Sequence, residues 1–124
     1  MGKLKEEDLT YRIRGAVFQV YNTLGPGFKE TVYHNSLREE FEKQKVKYRD
    51  KERIKIHYNG KQVGIYEPDF IIDDKVIIEL KAVEVMPTVF ETQLYSYLKA
   101  TKYKIGMLIN FGSDKLDIKR RVYG

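Results

Sequence analysis

The 124-residue chain has no cysteine, no tryptophan and only three prolines. Without cysteine there is no disulfide framework, thiolate zinc site, cysteine-ligated iron–sulfur cluster or cysteine nucleophile. Long apolar runs are missing too. The longest stretches are of the kind Val76-Ile77-Ile78, far short of the roughly 20 apolar residues that span a bilayer. The first residues, Met1 to Asp8, carry no apolar signal segment, so the expected location is the cytoplasm, with no membrane partner. What the chain does have is charge, 23 Lys plus Arg against 18 Asp plus Glu for a net of +5, and ten tyrosines. A basic balance is compatible with a polyanionic partner without demonstrating one. A chain of this length can bury about two thirds of its unfolded surface in one core, so one domain is expected over residues 1–124.

Asp8 is placed to cap a helix in which Leu9, Ile13, Ala16, Val17, Val20 and Leu24 recur at helical spacing. Gly25-Pro26-Gly27 ends it, and a second helix is expected from Lys29 or Glu30 toward Gln44, carrying Val32, Tyr33, Leu37 and Phe41. The period then changes to two. Ile54, Ile56 and Tyr58 alternate with charged neighbours before Asn59-Gly60, a hairpin signal, and a return strand runs through Val63 and Ile65. A second hairpin is expected from the run Tyr66 to Ile72, a turn at Asp73-Asp74 and the run Lys75 to Ala82. Pro87 opens a helix over Thr88 to Lys99, followed by strands at Ile105 to Phe111 and Leu116 to Tyr123. The order points to a mixed sheet with helices against it.

The chemistry concentrates in Pro68-Asp69 and Glu79-Leu80-Lys81. On a strand, alternation puts Ile77, Glu79 and Lys81 on one face and Val76, Ile78 and Leu80 on the other. Two charges in an apolar strand are costly unless paired, hydrogen-bonded or bound to a metal. For Asp69 to face Glu79, the connection around Asp73 to Lys75 must be of odd length or bulged, since a two-residue turn sets Asp69 opposite Ile78. Asp and Glu together suit Mg²⁺ or Mn²⁺, and a lysine two residues on can orient a water, the logic of phosphodiester hydrolysis. The competing reading is a salt-bridged Glu79–Lys81 pair with Asp69 at a strand edge. A D-x9-E-x-K spacing alone arises by chance in about one chain in fifty of this length.

Gln93 and Tyr97, four apart beside the Leu94/Leu98 stripe, could hold a metal-bound water or a phosphate and brace a nucleic-acid backbone; an ordinary amphipathic boundary explains them as well. Glu30 sits where a carboxylate complements a helix N-terminus, but shares a face with Tyr33, Leu37 and Phe41. His34 is a candidate ligand or a half-buried histidine. Lys43, Lys45, Lys47, Arg49, Lys51, Arg53 and Lys55 alternate, and as one continuous strand would form a single basic face.

On these residues the chain resembles a known group. Pro68-Asp69 with Glu79-Leu80-Lys81 looks like the signature of the PD-(D/E)XK nuclease superfamily. Gln93-Leu94-Tyr95-Ser96-Tyr97 resembles the QxxxY motif of its exonuclease-like branch, and Gly27-x-x-Glu30-x-x-Tyr33 is similar to the motif of the GxxExxY family assigned to it. The resemblance implies an α/β (α+β) restriction-endonuclease-like fold, an αβββαβ core with a mixed central sheet flanked by helices. It implies that Asp69 and Glu79 bind Mg²⁺, with Mn²⁺ as substitute, and that Glu30 completes the acidic cluster. Lys81 acts on the water, and Gln93 with Tyr97 supports the site and its nucleic acid, expected to be DNA. The missing cysteines exclude the iron–sulfur variant of the fold. Left open are a non-catalytic nucleic-acid- or protein-binding module of the same fold and a site completed by a homodimer.

Overall fold

The computed structural model describes residues 6–124; residues 1–5, part of the segment read for a signal peptide, lie outside the described residues. Helix α1 runs Glu7–Leu24 and α2 Glu30–Lys43. Strands β1 (Tyr48–Asp50), β2 (Ile54–Tyr58), β3 (Lys61–Tyr66), β4 (Phe70–Ile72) and β5 (Val76–Lys81) follow, then α3 (Thr88–Ala100), β6 (Ile105–Asn110) and β7 (Asp117–Val122). One sheet has the order β1-β4-β5-β6-β7, and β2 and β3 form a separate ribbon. The β5–β6 pair is parallel, with α3 as the crossover, and the other pairs are antiparallel.

Alternation along the strands divides the core in two. Phe70, Ile72, Val76, Ile78, Leu80, Ile105, Met107 and Ile109 pack with α1 and α2. Ile71, Ile77 and Leu108 pack with Leu94 and Leu98 of α3, and Ile54 and Ile56 at the root of the ribbon lie against this second cluster. The central strand β5 is therefore apolar on both sides until Glu79, and it is there that the chain begins to carry charge.

Several expectations change. Asp8 does not cap α1: the preceding Glu6 takes the N-cap position in a left-handed conformation, and Asp8 sits inside the first turn, where its charge complements the helix dipole. The run from Tyr66 to Ile72 is not one strand. It breaks at Glu67-Pro68-Asp69 between β3 and β4, because proline has no N–H for a ladder. The alternating cations from Lys43 to Lys55 do not form one face: Lys43 ends α2, Lys45 and Lys51 have φ of 56° and 52°, and β1 and β2 belong to different sheets.

The required odd connection is present. Ile72 pairs with Val76 and Phe70 with Ile78, so three residues, Asp73-Asp74-Lys75, make the loop, and Asp69, just before Phe70, is set at the Glu79 end of β5. Asp73 and Asp74 adopt φ of 52° and 54°. Asp74 is held in that shape by Arg49 Nη2 (2.9 Å), Tyr103 Oη (2.9 Å) and Lys102 Nζ (3.2 Å), and these hydrogen bonds keep its carboxyl well below the usual carboxylate range.

The far end of β5 is fixed by one side chain. Buried Asn110 accepts the N–H groups of Val83 and Gly112, both at 3.0 Å, and donates to Val83 O at 2.9 Å. Asn110→Ala strands these backbone groups and is expected to cost about 1–3 kcal/mol or more in urea denaturation.

Candidate active site

Asp69 enters the site at the break before β4. Its N–H donates to Ile78 O and its carbonyl accepts Lys51 N–H, both at 3.1 Å. Its Oδ2 accepts the Leu80 N–H at 2.8 Å, and its Oδ1 lies 3.1 Å from Nδ1 of His34 on α2. The carboxylate is thus anchored from both the strand and the helix. His34 is buried, stacked on Phe70 at 4.3 Å between centroids, and its Nε2 faces Asp50 Oδ2 at 3.2 Å. Arg38 Nη1 reaches the same Asp50 oxygen at 3.2 Å. Burial, the largest single influence on Asp50, pushes its carboxyl up, but the hydrogen bonds and charges of His34 and Arg38 outweigh it and hold it low.

Glu79 is largely enclosed, and its Oε2 accepts the Tyr66 hydroxyl at 2.7 Å. Burial pushes its carboxyl up to about 7; the Tyr66 hydrogen bond and Lys81 oppose the rise, while the charges of Asp69 and Glu30 add to it. Tyr66 is itself only 4% exposed and lies parallel to Tyr97 of α3, with centroids 3.8 Å apart. Tyr97 therefore reaches Glu79 through Tyr66. Lys81, the next residue on the Glu79 face, holds its ammonium 4.2 Å above the Phe90 ring of α3. The salt-bridge reading of Glu79 and Lys81 is not needed to explain how Lys81 is held.

Glu30 opens α2. Desolvation raises its carboxyl; Lys81 opposes the rise, Asp69 adds to it and Lys51 opposes it, which places Glu30 in the field of the other charges. The turn before it explains its neighbours. Gly27 has φ of 109°, open to glycine but strained for other residues. Tyr33 donates its hydroxyl to Gly25 O at 2.6 Å, accepts the Phe28 N–H at 3.2 Å and stacks on Phe111 at 4.4 Å. The glycine makes the turn and the tyrosine staples it, fixing the start of the helix that the exposed Glu30 opens.

The structure thus brings Glu30, Asp69, Glu79 and Lys81 into one electrostatic neighbourhood. Gln93 stands exposed on α3, one turn before Tyr97. Sequence reasoning missed Tyr66, Asp50, Arg38 and Phe90, and weighed His34 as a ligand or a half-buried histidine rather than as the partner that holds Asp69. Among the described residues no group of three or more His, Asp or Glu is gathered closely enough to hold a metal ion. The donor chemistry nevertheless fits a hard divalent cation: Glu30, Asp69 and Glu79 are carboxylates, and the repulsion of Asp69 and Glu30, which adds to the burial that chiefly raises Glu79, is what a cation relieves.

A family model described as the PD-(D/E)XK nuclease superfamily matches residues 7–121. The crystal structure of SSO0001 is similar, with a TM-score of 0.56 and 19% sequence identity over 74% of this chain. The match covers 48% of that protein, so this chain spans about half its length. No curated protein is similar enough to match. Among the described residues no helix is long and apolar enough to cross a membrane.

Proposed function

Because this chain belongs to the PD-(D/E)XK nuclease superfamily, and its layered mixed sheet is a restriction-endonuclease-like fold, we propose that it is a metal-dependent nuclease hydrolysing DNA phosphodiester bonds. The observation that carries the reading is the three-residue connection of β4 to β5 together with the Leu80 N–H on Asp69 Oδ2, which hold Asp69 at the Glu79 end of β5, with Lys81 one step further along the Glu79 strand face. Within the superfamily we place it in the GxxExxY group with a QxxxY motif, on Gly27, Glu30 and Tyr33 and on Gln93 and Tyr97.

Asp69 and Glu79, with Glu30 from α2, would hold Mg²⁺ or Mn²⁺, which when bound supplies Lewis-acid stabilisation of the phosphate and a water of lowered pKa. The protein's own groups do the rest. Leu80 N–H and His34 fix the Asp69 carboxylate before substrate arrives, so no reorganisation is needed at the moment of reaction. Tyr66, braced by Tyr97, fixes one oxygen of Glu79 and leaves the other to the site. The Lys81 ammonium, desolvated on one side by Phe90, orients the attacking water and offsets charge developing on the phosphate. Gln93 is exposed at the rim of the same helix and is assigned a phosphate of the bound strand.

Lys81→Ala is expected to lower Mg²⁺-dependent cleavage by about 100-fold or more while leaving the thermal transition in place, since its ammonium lies on the site rather than in the core. Cleavage is expected to vanish in EDTA. Equal cleavage by Lys81→Ala contradicts the assignment.

A further inference from the structure

The β2–β3 ribbon stands apart from the main sheet, and its composition differs from the rest of the chain. Between Ile54 and Tyr66 it contains Lys55, His57 and Lys61 and no acidic residue. Its turn is Asn59-Gly60, with φ of 53° and 76°, the tight hairpin that keeps the two strands twisted together. One face is spent at the root, where Ile54 and Ile56 pack against the α3-side core. The remainder is open: Tyr58 is 69% exposed, Val63 62% and Ile65 46%. Lone apolar side chains on a surface need no explanation, but three on one thin ribbon, set among lysines, do.

The root lies at the candidate site. Tyr66, the last residue of β3, is the hydrogen-bond partner of Glu79, and Ile65 beside it is already exposed. The return strand Lys61–Tyr66 carries the ribbon roughly 20 Å outward at the usual rise of a strand. A two-stranded ribbon fits the major groove of B-form DNA, whereas the deep, narrow major groove of an RNA duplex does not admit one. Absence of carboxylates over residues 54–66 matches the charge of the phosphate walls, and the apolar side chains suit thymine methyl groups and sugar edges.

We propose that the β2–β3 ribbon is an arm that enters the major groove of duplex DNA beside the bond presented to Glu79 and Lys81. The inference rests on the nuclease reading for the position of that bond, and on the ribbon's own shape and charge for the grip.

The test uses the full chain and a short fluorescent DNA duplex in EDTA, with binding read by anisotropy across a salt series. Lys55→Ala/Lys61→Ala is expected to weaken binding by about tenfold or more and to lower the salt slope by about 2, one unit for each phosphate that is no longer neutralised. The control is Lys43→Ala/Lys47→Ala, which makes the same charge change at and just past the opposite end of α2 from Glu30 and is expected to bind like the parent. Equal weakening in both doubles, no loss in the ribbon double, no binding by the parent, or preference for duplex RNA or single strands overturns the arm. Adding Mg²⁺ to the same samples separates the two proposals. If the ribbon double binds and cuts like the parent, the arm fails and the nuclease stands. If the parent grips DNA through the ribbon but cuts nothing, the arm stands and the nuclease fails.

Discussion

In metal-free buffer, Glu79→Gln is expected to be more stable than the parent by about 3 kcal/mol near pH 8 and no more stable near pH 4, while losing cleavage. The folded chain holds the Glu79 carboxyl at about 7, above the ordinary 4.5, chiefly through burial. A raised folded pKa means that the folded state prefers the protonated group. The contribution of Glu79 to stability is therefore complete below about pH 4.5 and is lost as pH rises through about 7. Glutamine is neutral throughout and its amide oxygen still accepts the Tyr66 hydroxyl, so the variant escapes the loss. Urea denaturation of both proteins over this range reads the difference directly. A pH-independent gap, or a variant less stable at alkaline pH, contradicts a desolvated carboxylate at this position. A site that destabilises its own fold is expected where charge is held ready for a ligand, since strain is tolerated at functional positions.

His34→Ala is expected to cost about 3–5 kcal/mol, a fall of about 10 °C or more in the thermal midpoint for a chain of this size. The ring is buried, stacked on Phe70, and faces two carboxylates. Removing the ring takes a polar partner from both Asp50 and Asp69 and opens a cavity beside Phe70. His34→Phe separates the two contributions: it keeps the stack and loses the polar contacts. Calorimetric melts of the two variants should therefore differ from the parent by different amounts, with His34→Ala the lower. A midpoint within a few degrees of the parent in His34→Ala contradicts the anchoring of Asp69 described above.

The elements themselves were legible because local signals agree with the packed result. Leu9, Ile13, Val17 and Val20 face the core as their spacing requires, Asn59-Gly60 makes the hairpin, and Pro87 starts α3. The odd connection that the Asp69–Glu79 site needs was legible only as a condition. Whether the loop holds two or three residues depends on Asp73 and Asp74 adopting positive φ, and Asp74 is held by Arg49, Lys102 and Tyr103 from distant parts of the chain. His34 carried a readable signal: with Leu37 and Phe41 it lies on the buried stripe of α2, where a polar ring must find partners. Asn110, a lone polar group ending an apolar strand, carried a similar one. Tyr66 did not, because the break at Pro68 severs the alternation that would relate it to Glu79. The partial overlap with SSO0001 supports the fold and leaves the chemistry to the residues of this chain.

The central claim, that Asp69 and Glu79 form one metal-binding pair, is tested most directly by a crystal of the protein grown with Mn²⁺, using anomalous difference density at the manganese edge. The expected result is a peak between the carboxylates of Asp69 and Glu79, within coordinating distance of both and absent in a Glu79→Gln crystal prepared the same way. An ion bound elsewhere with this space empty, or Asp69 turned to the opposite face of the sheet from Glu79, contradicts it.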